Sequence, residues 1–484
     1  MARLNKKTTK SGIFATEKVI VLDPYAFAVK TVERPVRLAG GGGAKAAKQP
    51  SEANLRRLVM TCLLWEDNFY VDGQTIVEQI KELIPQVDPN IVADMAIEAR
   101  YTQKLRHVPL MLVRELARQG YPVAPVLAKV CKRPDEITEF LSIYWADNKG
   151  KKSLPAQVKL GLATAFNNYG EYSMAKWQGK TKEVKLRDAL RLVHPKPKDL
   201  AQSILFKKLK EGELATPDTW EVGLSAAKSE SDKKAVWEHL INEEKLPALA
   251  FMKNIRNMEQ VNVSRKLIQN AFANCHPDML LPIDFLRAYD NSKEWGREIE
   301  DLMFRCAAQW PRLDGHTVFV VDTSGSMMEK LNNNTDYTRM DIAASLSVLA
   351  AECCDHISVY ATAGNDSRVI HATQKIQNVR GFALRDKILE ARNKLGGGGI
   401  FTRQVCEYLR EHEPEQPDRV IIFSDSQDCD RYNSVPKPYG KKNYIIDVSS
   451  HKHGINYRGL WTAELSAWSD GFLRYIAEYE RTLN

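Results

Sequence analysis

Long apolar runs are missing from this sequence. No stretch of eighteen or more apolar residues occurs in its 484 positions, which excludes a helical membrane span. The basic opening, MARLNKKTTKSG, is not followed by the apolar core that a secretion signal requires. Cysteine is sparse: Cys62, Cys131, Cys275, Cys306, Cys353, Cys354, Cys406 and Cys429 are scattered and form no C-x-x-C pair. That spacing argues against a zinc site and a disulfide framework, and for the reducing cytoplasm. A tight repeat of fixed period is also lacking. What remains is a composition ordinary for a globular protein, 44% hydrophobic and 27% charged, in a chain long enough for two or three domains.

The net charge of +8 is unevenly placed. Residues 1–210 hold 36 Lys+Arg against 21 Asp+Glu, and the remainder holds 33 against 40. Within 101–210 the count is 22 against 9. A basic half of this kind is either the footprint of a polyanion binder or a solvated lysine-rich helical surface.

The hydrophobic period divides the chain. Residues 1–50 form an N-terminal arm and Gly-rich linker: short β-like runs are broken by Pro24 and Pro35, and AGGGGAKAAKQP is a flexible tether. From 51 to 312, segments such as PNIVADMAIEARYTQKL, VPLMLVRELARQ and LPAQVKLGLATAFNNY carry apolar residues at three- and four-residue spacing. They follow one another with no strand between them, which predicts an all-α, HEAT-like stack of helix pairs. From 313 to 484 strands and helices alternate. HTVFVVD, HISVYAT, RVIIFSD and NYIIDVS read as buried parallel strands, and TAELSAWSDGFLRYIAEYERTL as a closing amphipathic helix. The expected architecture of this part is a doubly wound α/β domain with its ligand site beyond the carboxyl ends of the strands.

Asp322 and Asp425 fall at two such strand ends. Ser324 and Ser326 follow Asp322 at alternate positions, and the loop LGGGGIFT delivers Thr402. A carboxylate, three neutral hydroxyls and a second carboxylate acting through water suit a hard divalent cation, Mg²⁺ above all. In order and spacing these five positions resemble the metal-ion-dependent adhesion site of von Willebrand factor A domains. The site is built for binding. His316, the nearest histidine in sequence, opens its strand and so lies at the far end from the serines, which leaves them without a base. An enzyme is therefore not expected. The Asn-rich KLNNNTDYTR reads as a small insertion beside the cation site.

KLRHVPLMLVRELAR (104–118), LRLVHPKPKDL (190–200) and LPALAFMKNIRNM (246–258) resemble the TROVE module of the Ro autoantigen family, as does the acidic-aromatic LLWEDNFYVDGQ (63–74). TROVE followed by an A domain is the whole Ro architecture, of the bacterial or phage-like type here. The resemblance implies a monomeric helical ring whose ends the A domain bridges. It implies an RNA-binding ribonucleoprotein without catalysis, acting in noncoding RNA quality control or decay. Small structured Y-like RNA would dock on the basic outer surface, and single-stranded ends of misfolded RNA would enter the central hole. An exoribonuclease such as polynucleotide phosphorylase would be the protein partner.

The family's RNA-contacting stretch maps onto Lys176 and Lys180 in KWQGK and onto His194 in LRLVH. Lysines at i and i+4 share a helix face and would make paired phosphate contacts. His194 would donate to phosphate or stack on a base, or else cap its helix. Lys196, Lys198, Lys207, Lys208 and Lys210 extend the basic run, while Tyr172 and Trp177 could stack on bases but are expected in the core. The rival reading from another class is a metal-dependent protein-interaction module partnering an AAA+ ATPase.

Overall fold

The computed structural model describes residues 14–22, 29–37, 51–61, 73–146, 153–178, 184–330, 336–430, 436–448, 460–466 and 471–482. The Gly-rich tether, most of LLWEDNFYVDGQ and the Asn run of the predicted insertion lie outside them.

Near the N-terminus, β1 (Phe14–Leu22) and β2 (Val29–Arg37) form an antiparallel pair, with Val19 opposite Val32. The helical run then begins with α1 (Ser51–Thr61), α2 (Gly73–Leu83), α3 (Pro89–Tyr101), α4 (His107–Arg118), α5 (Ala124–Val130), α6 (Pro134–Trp145), α7 (Ala156–Phe166) and α8 (Glu171–Lys176). It continues through α9 (Leu186–Val193), α10 (Leu200–Glu211), α11 (Trp220–Ala226), α12 (Glu230–Asn242), α13 (Ala248–Gln260), α14 (Arg265–Asn274), α15 (Pro282–Asn291) and α16 (Gly296–Ala307). Local chemistry sets many of these boundaries. Asp88 caps α3 with Pro89 at its first turn, Ser229 and Asp232 form a reciprocal capping box on α12, and left-handed Gly212 (φ +84°) ends α10.

The helices stack as the period predicts. α3, α5 and α7 pack side by side, with α4 and α6 behind them. Their apolar stripes face inward: Val92, Ala96, Leu112, Leu116, Leu127 and Leu162 are all buried. Buried carboxylates sit in this stack with arginine partners. Arg100 at the end of α3 reaches Glu136 on α6 at 2.6 Å, and both are nearly inaccessible.

The second unit comprises β3 (Leu313–Asp322), α17 (Arg339–Ala351), β4 (Cys354–Asn365), β5 (Ile370–Lys375), α18 (Gly381–Leu395) and α19 (Thr402–His412). It ends with β6 (Arg419–Ser424), β7 (Lys442–Asp447), β8 (Ala463–Ser466) and α20 (Gly471–Thr482). Its sheet has the order β5-β4-β3-β6-β7-β8, parallel except for the edge strand β5. The order reverses between β3 and β6, whose chain successors depart to opposite sides; such a switch point opens a crevice at the carboxyl ends of the two strands. The four expected strands are present. β5 and β8 were not foreseen, and the final helix begins at Gly471, because AELS pairs with β7 as a short edge strand instead.

The α/β unit meets both ends of the helical run. At one end α15 and α16 pack on α17, with Tyr289 stacked on Phe382 at 4.0 Å and Arg385 paired with Asp290 at 3.0 Å. At the other, α1 packs against α20 and β8. No helix among the described residues is long and apolar enough to cross a membrane.

Candidate nucleic-acid interface and cation site

The C-terminal ends of α3, α5, α7 and α9 come to one edge of the helical run. Helix ends leave carbonyls without intrahelical partners, and side chains of the next helix pair take them up. Arg100 donates to Val130 O at 3.2 Å, and the Tyr169 hydroxyl to Cys131 O at 2.7 Å. Asn167 donates to Lys196 O at 3.1 Å, while the Lys198 ammonium returns a bond to Asn167 O at 2.6 Å.

His194 stands on this edge. It is the C-cap of α9, in the left-handed conformation (φ 47°, ψ 60°), and its N–H closes the helix on Leu190 O at 3.0 Å. The backbone thus does the capping and the exposed imidazole has no side-chain partner among the described residues. Lys176 ends α8, its ammonium 5.3 Å from the Trp177 ring and 5.9 Å from the Tyr172 ring. α8 stops at Lys176, and Lys180 lies outside the described residues. Lys196, Lys207 and Lys210 are exposed, whereas Lys208 is paired with Glu171 at 3.0 Å. Tyr172 is not in the core: it is 49% exposed, since the six-residue α8 buries only Met174 and Ala175. Trp177 is half-buried with the Arg133 guanidinium 3.7 Å above its ring.

At the sheet's switch point, four of the five predicted cation ligands come together. Asp322 ends β3 fully buried; one of its oxygens accepts the Ser324 N–H at 2.8 Å and the other the Ser424 hydroxyl at 2.6 Å. The Ser324 and Ser326 hydroxyls lie 3.2 Å apart. Asp425 follows β6, 2% exposed. Burial, and then the charge of Asp425, push the Asp322 carboxyl up to about 7. Burial also raises Asp425, against the opposing pull of Ser326 and Arg339. Two desolvated carboxylates among neutral hydroxyls call for a positive charge, and hard oxygen donors of this kind suit Mg²⁺. Among the described residues no cluster of three or more His, Cys, Asp or Glu is set to hold a metal, so hydroxyls must complete any such shell.

Thr402 is placed differently. It opens α19 with its N–H 3.3 Å from Asp428, and its side chain also bonds that carboxyl, which burial pushes up to about 6. The Gly-rich loop abuts the other four: a Cβ on Gly325 would lie 2.9 Å from Gly397 O, and Gly396 and Gly397 adopt φ of +87° and +71°. Two site residues were missed from sequence. Arg339, buried at the first turn of α17, donates to Asp425 at 2.9 Å and to Ser326 O at 3.3 Å, and also pairs with Glu329. Nothing local marks it, because the pair spans 86 residues. Asp428 had only its spacing, three residues past Asp425, to signal it.

Comparison with known proteins adds two findings. Residues 207–294 match the family model of the TROVE domain. The whole fold is similar to the crystal structure of the Deinococcus radiodurans Ro (Rsr) protein, with a TM-score of 0.60 at 16% identity, covering 88% of this chain and 99% of that one. Part of the chain thus matches the TROVE model, and the fold as a whole is like that of the Ro (Rsr) protein. The TROVE match covers α11 to α15 and the end of α10, so α3, α5, α7 and α9, whose ends form the helix-end edge, lie N-terminal to it. No curated protein sequence matches the chain.

Proposed function

We propose that this chain is a cytoplasmic RNA-binding protein of the Ro type, without catalysis of its own, that serves noncoding RNA quality control or decay. The helix-end edge carries the reading: His194 and Lys196 are exposed there, Lys207 and Lys210 are exposed on the helix that follows, and residues 207–294 match the TROVE model. Cations without internal partners bind phosphate at little desolvation cost, and they make affinity depend steeply on salt. Small structured Y-like RNA would lie along this edge, contacted by Lys176, Lys180 and His194. Single-stranded ends of misfolded RNA would enter a central hole of the helical ring that this reading expects.

Asp322, Ser324, Ser326 and Asp425, with Thr402 completing the shell from the Gly-rich loop, would hold the divalent cation. The cation would present an open position to a carboxylate or phosphate of a partner, for instance an exoribonuclease such as polynucleotide phosphorylase. Their own roles are clear without it: Ser424 and the Ser324 N–H orient Asp322, and Arg339 orients Asp425. The alternative, an interaction module for an AAA+ ATPase, draws on the cation site alone. Gel-shift of a structured small RNA by the purified chain at low salt, and its loss in Lys176→Ala/His194→Ala, decides between them. An unshifted RNA leaves only the module reading.

A further inference from the structure

The helix-end edge also presents a ladder of aromatic and cationic side chains, of which only Lys176 is among the contacts proposed above. At its head Tyr101 ends α3 and remains 42% exposed. Its hydroxyl donates to Lys129 O at 3.2 Å, which fixes the ring, and the Lys132 ammonium lies 4.4 Å from the ring centroid. The next residue, Arg133, stacks its guanidinium over Trp177, and Lys176 follows with Tyr172 beyond it.

The positive charge at the head of this ladder is not balanced. Asp135, Glu136 and Glu139 are the nearest carboxylates, all buried, and each is held by an arginine: Arg106 and Arg133 on Asp135, Arg100 on Glu136, Arg106 on Glu139. Lys104, Lys129 and Lys132 are exposed and have no carboxylate partner among the described residues. Burial, then Arg100 and Lys104, lower the Lys132 ammonium below its ordinary value, as an excess of positive field demands. A helix dipole accounts for one cation near a helix end, but three cations beside an exposed, anchored tyrosine exceed what capping needs.

We propose that Tyr101, Lys132, Arg133 and Trp177 form a subsite for unpaired nucleotides of RNA, distinct from the contacts made by His194. Bases stack on the tyrosine, the indole and the guanidinium plane, while Lys104, Lys129 and Lys132 neutralise the phosphates between them. Aromatic platforms beside cations are the general means of holding single strands, since every base has a π-face. This proposal rests on the RNA reading above and assigns to this edge a preference that reading lacks.

Fluorescence anisotropy with two probes tests it: an oligouridylate and a blunt-ended RNA duplex, each added to the full chain. Tyr101→Leu/Lys132→Gln should weaken oligouridylate binding by about tenfold or more, from one lost stack and one lost phosphate contact. The duplex should bind within about twofold of wild type, because its bases are paired and stacked inside the helix. Tyr101→Trp should retain oligouridylate binding, which separates stacking from a folding defect. Unchanged oligouridylate affinity, or equal losses on both probes, would overturn the subsite while leaving the RNA reading in place. Failure of the wild-type chain to bind either probe would remove both.

Discussion

Replacing Glu480 tests how the α/β unit is fastened to the helical run. Glu480 lies on α20, 8% exposed, and Arg419 on β6, 4% exposed. Their side chains meet through two bonds, of 3.1 and 2.7 Å, and Tyr444 donates to the same carboxylate at 3.0 Å. Arg419 also donates to Thr317 at 2.9 Å and to Asp314 O at 2.7 Å. Glu480→Leu leaves a buried guanidinium without its counter-ion, a change that costs about 3–5 kcal/mol. Since α20 is the helix on which α1 packs, the loss should be felt by both. A chain of two units need not unfold in one step, so hydrogen exchange is the suitable assay. Amides of α20 should lose protection by roughly a hundredfold to a few thousandfold, and those of Ser51–Thr61 should follow. Arg419→Met added to Glu480→Leu should restore much of it, because the orphaned charge is gone. The pH dependence has a definite sign. Although burial opposes it, Arg419 holds Glu480 below the ordinary value of 4.5, so this stability is present above that pH and is lost as acid titrates the carboxylate. Unchanged protection in α20, or a loss in α20 that leaves α1 untouched, would refute the reasoning.

The remaining predictions concern the two sites. Asp322 is raised to about 7, so without metal its contribution to stability, full below the ordinary 3.8, is lost as pH rises through about 7. Melting temperature in EDTA should therefore fall across that range, Mg²⁺ should reverse the fall, and Asp322→Asn should remove both effects. Arg339→Met strips Asp425 of its resident positive charge. The metal-free variant should melt lower than wild type and gain more from Mg²⁺; a smaller gain would mean that Arg339 supports the cation instead of competing with it. Lys176→Ala/His194→Ala should weaken structured-RNA binding several-fold, and should reduce the slope of log affinity against log salt by about one to two. An unaltered slope would place both side chains off the RNA.

Much of this arrangement was legible where the signal is local. HTVFVVD and RVIIFSD are apolar enough to be buried on both faces, and their aspartates fall where such strands end. The Asp-x-Ser-x-Ser run and the aspartate after β6 therefore come together at one place. β5 and β8 escaped notice because each is a short edge strand, specified by its neighbour more than by its own composition. Thr402 is signalled by its place after the Gly-rich loop, but its bond to Asp428 is not, because only the packing of α19 brings the two together. Arg339 reads as an ordinary first-turn residue behind the Thr338–Asp341 capping box, and only the fold carries it to Asp425. Tyr172 and Trp177 carry apolar weight that suggests a core, yet α8 is too short to bury them fully. Cation–aromatic contacts such as Lys132 on Tyr101 join loops far apart in sequence and leave no periodic trace.

The central claim is that the basic helix-end edge holds RNA. Its most direct test is equilibrium binding of a small structured RNA to the purified chain across a salt series from about 50 to 200 mM. The account predicts binding at the low end that weakens by orders of magnitude over that range, as release of counterions from several phosphates requires. Absence of binding at the lowest salt, or an affinity indifferent to salt, would contradict it.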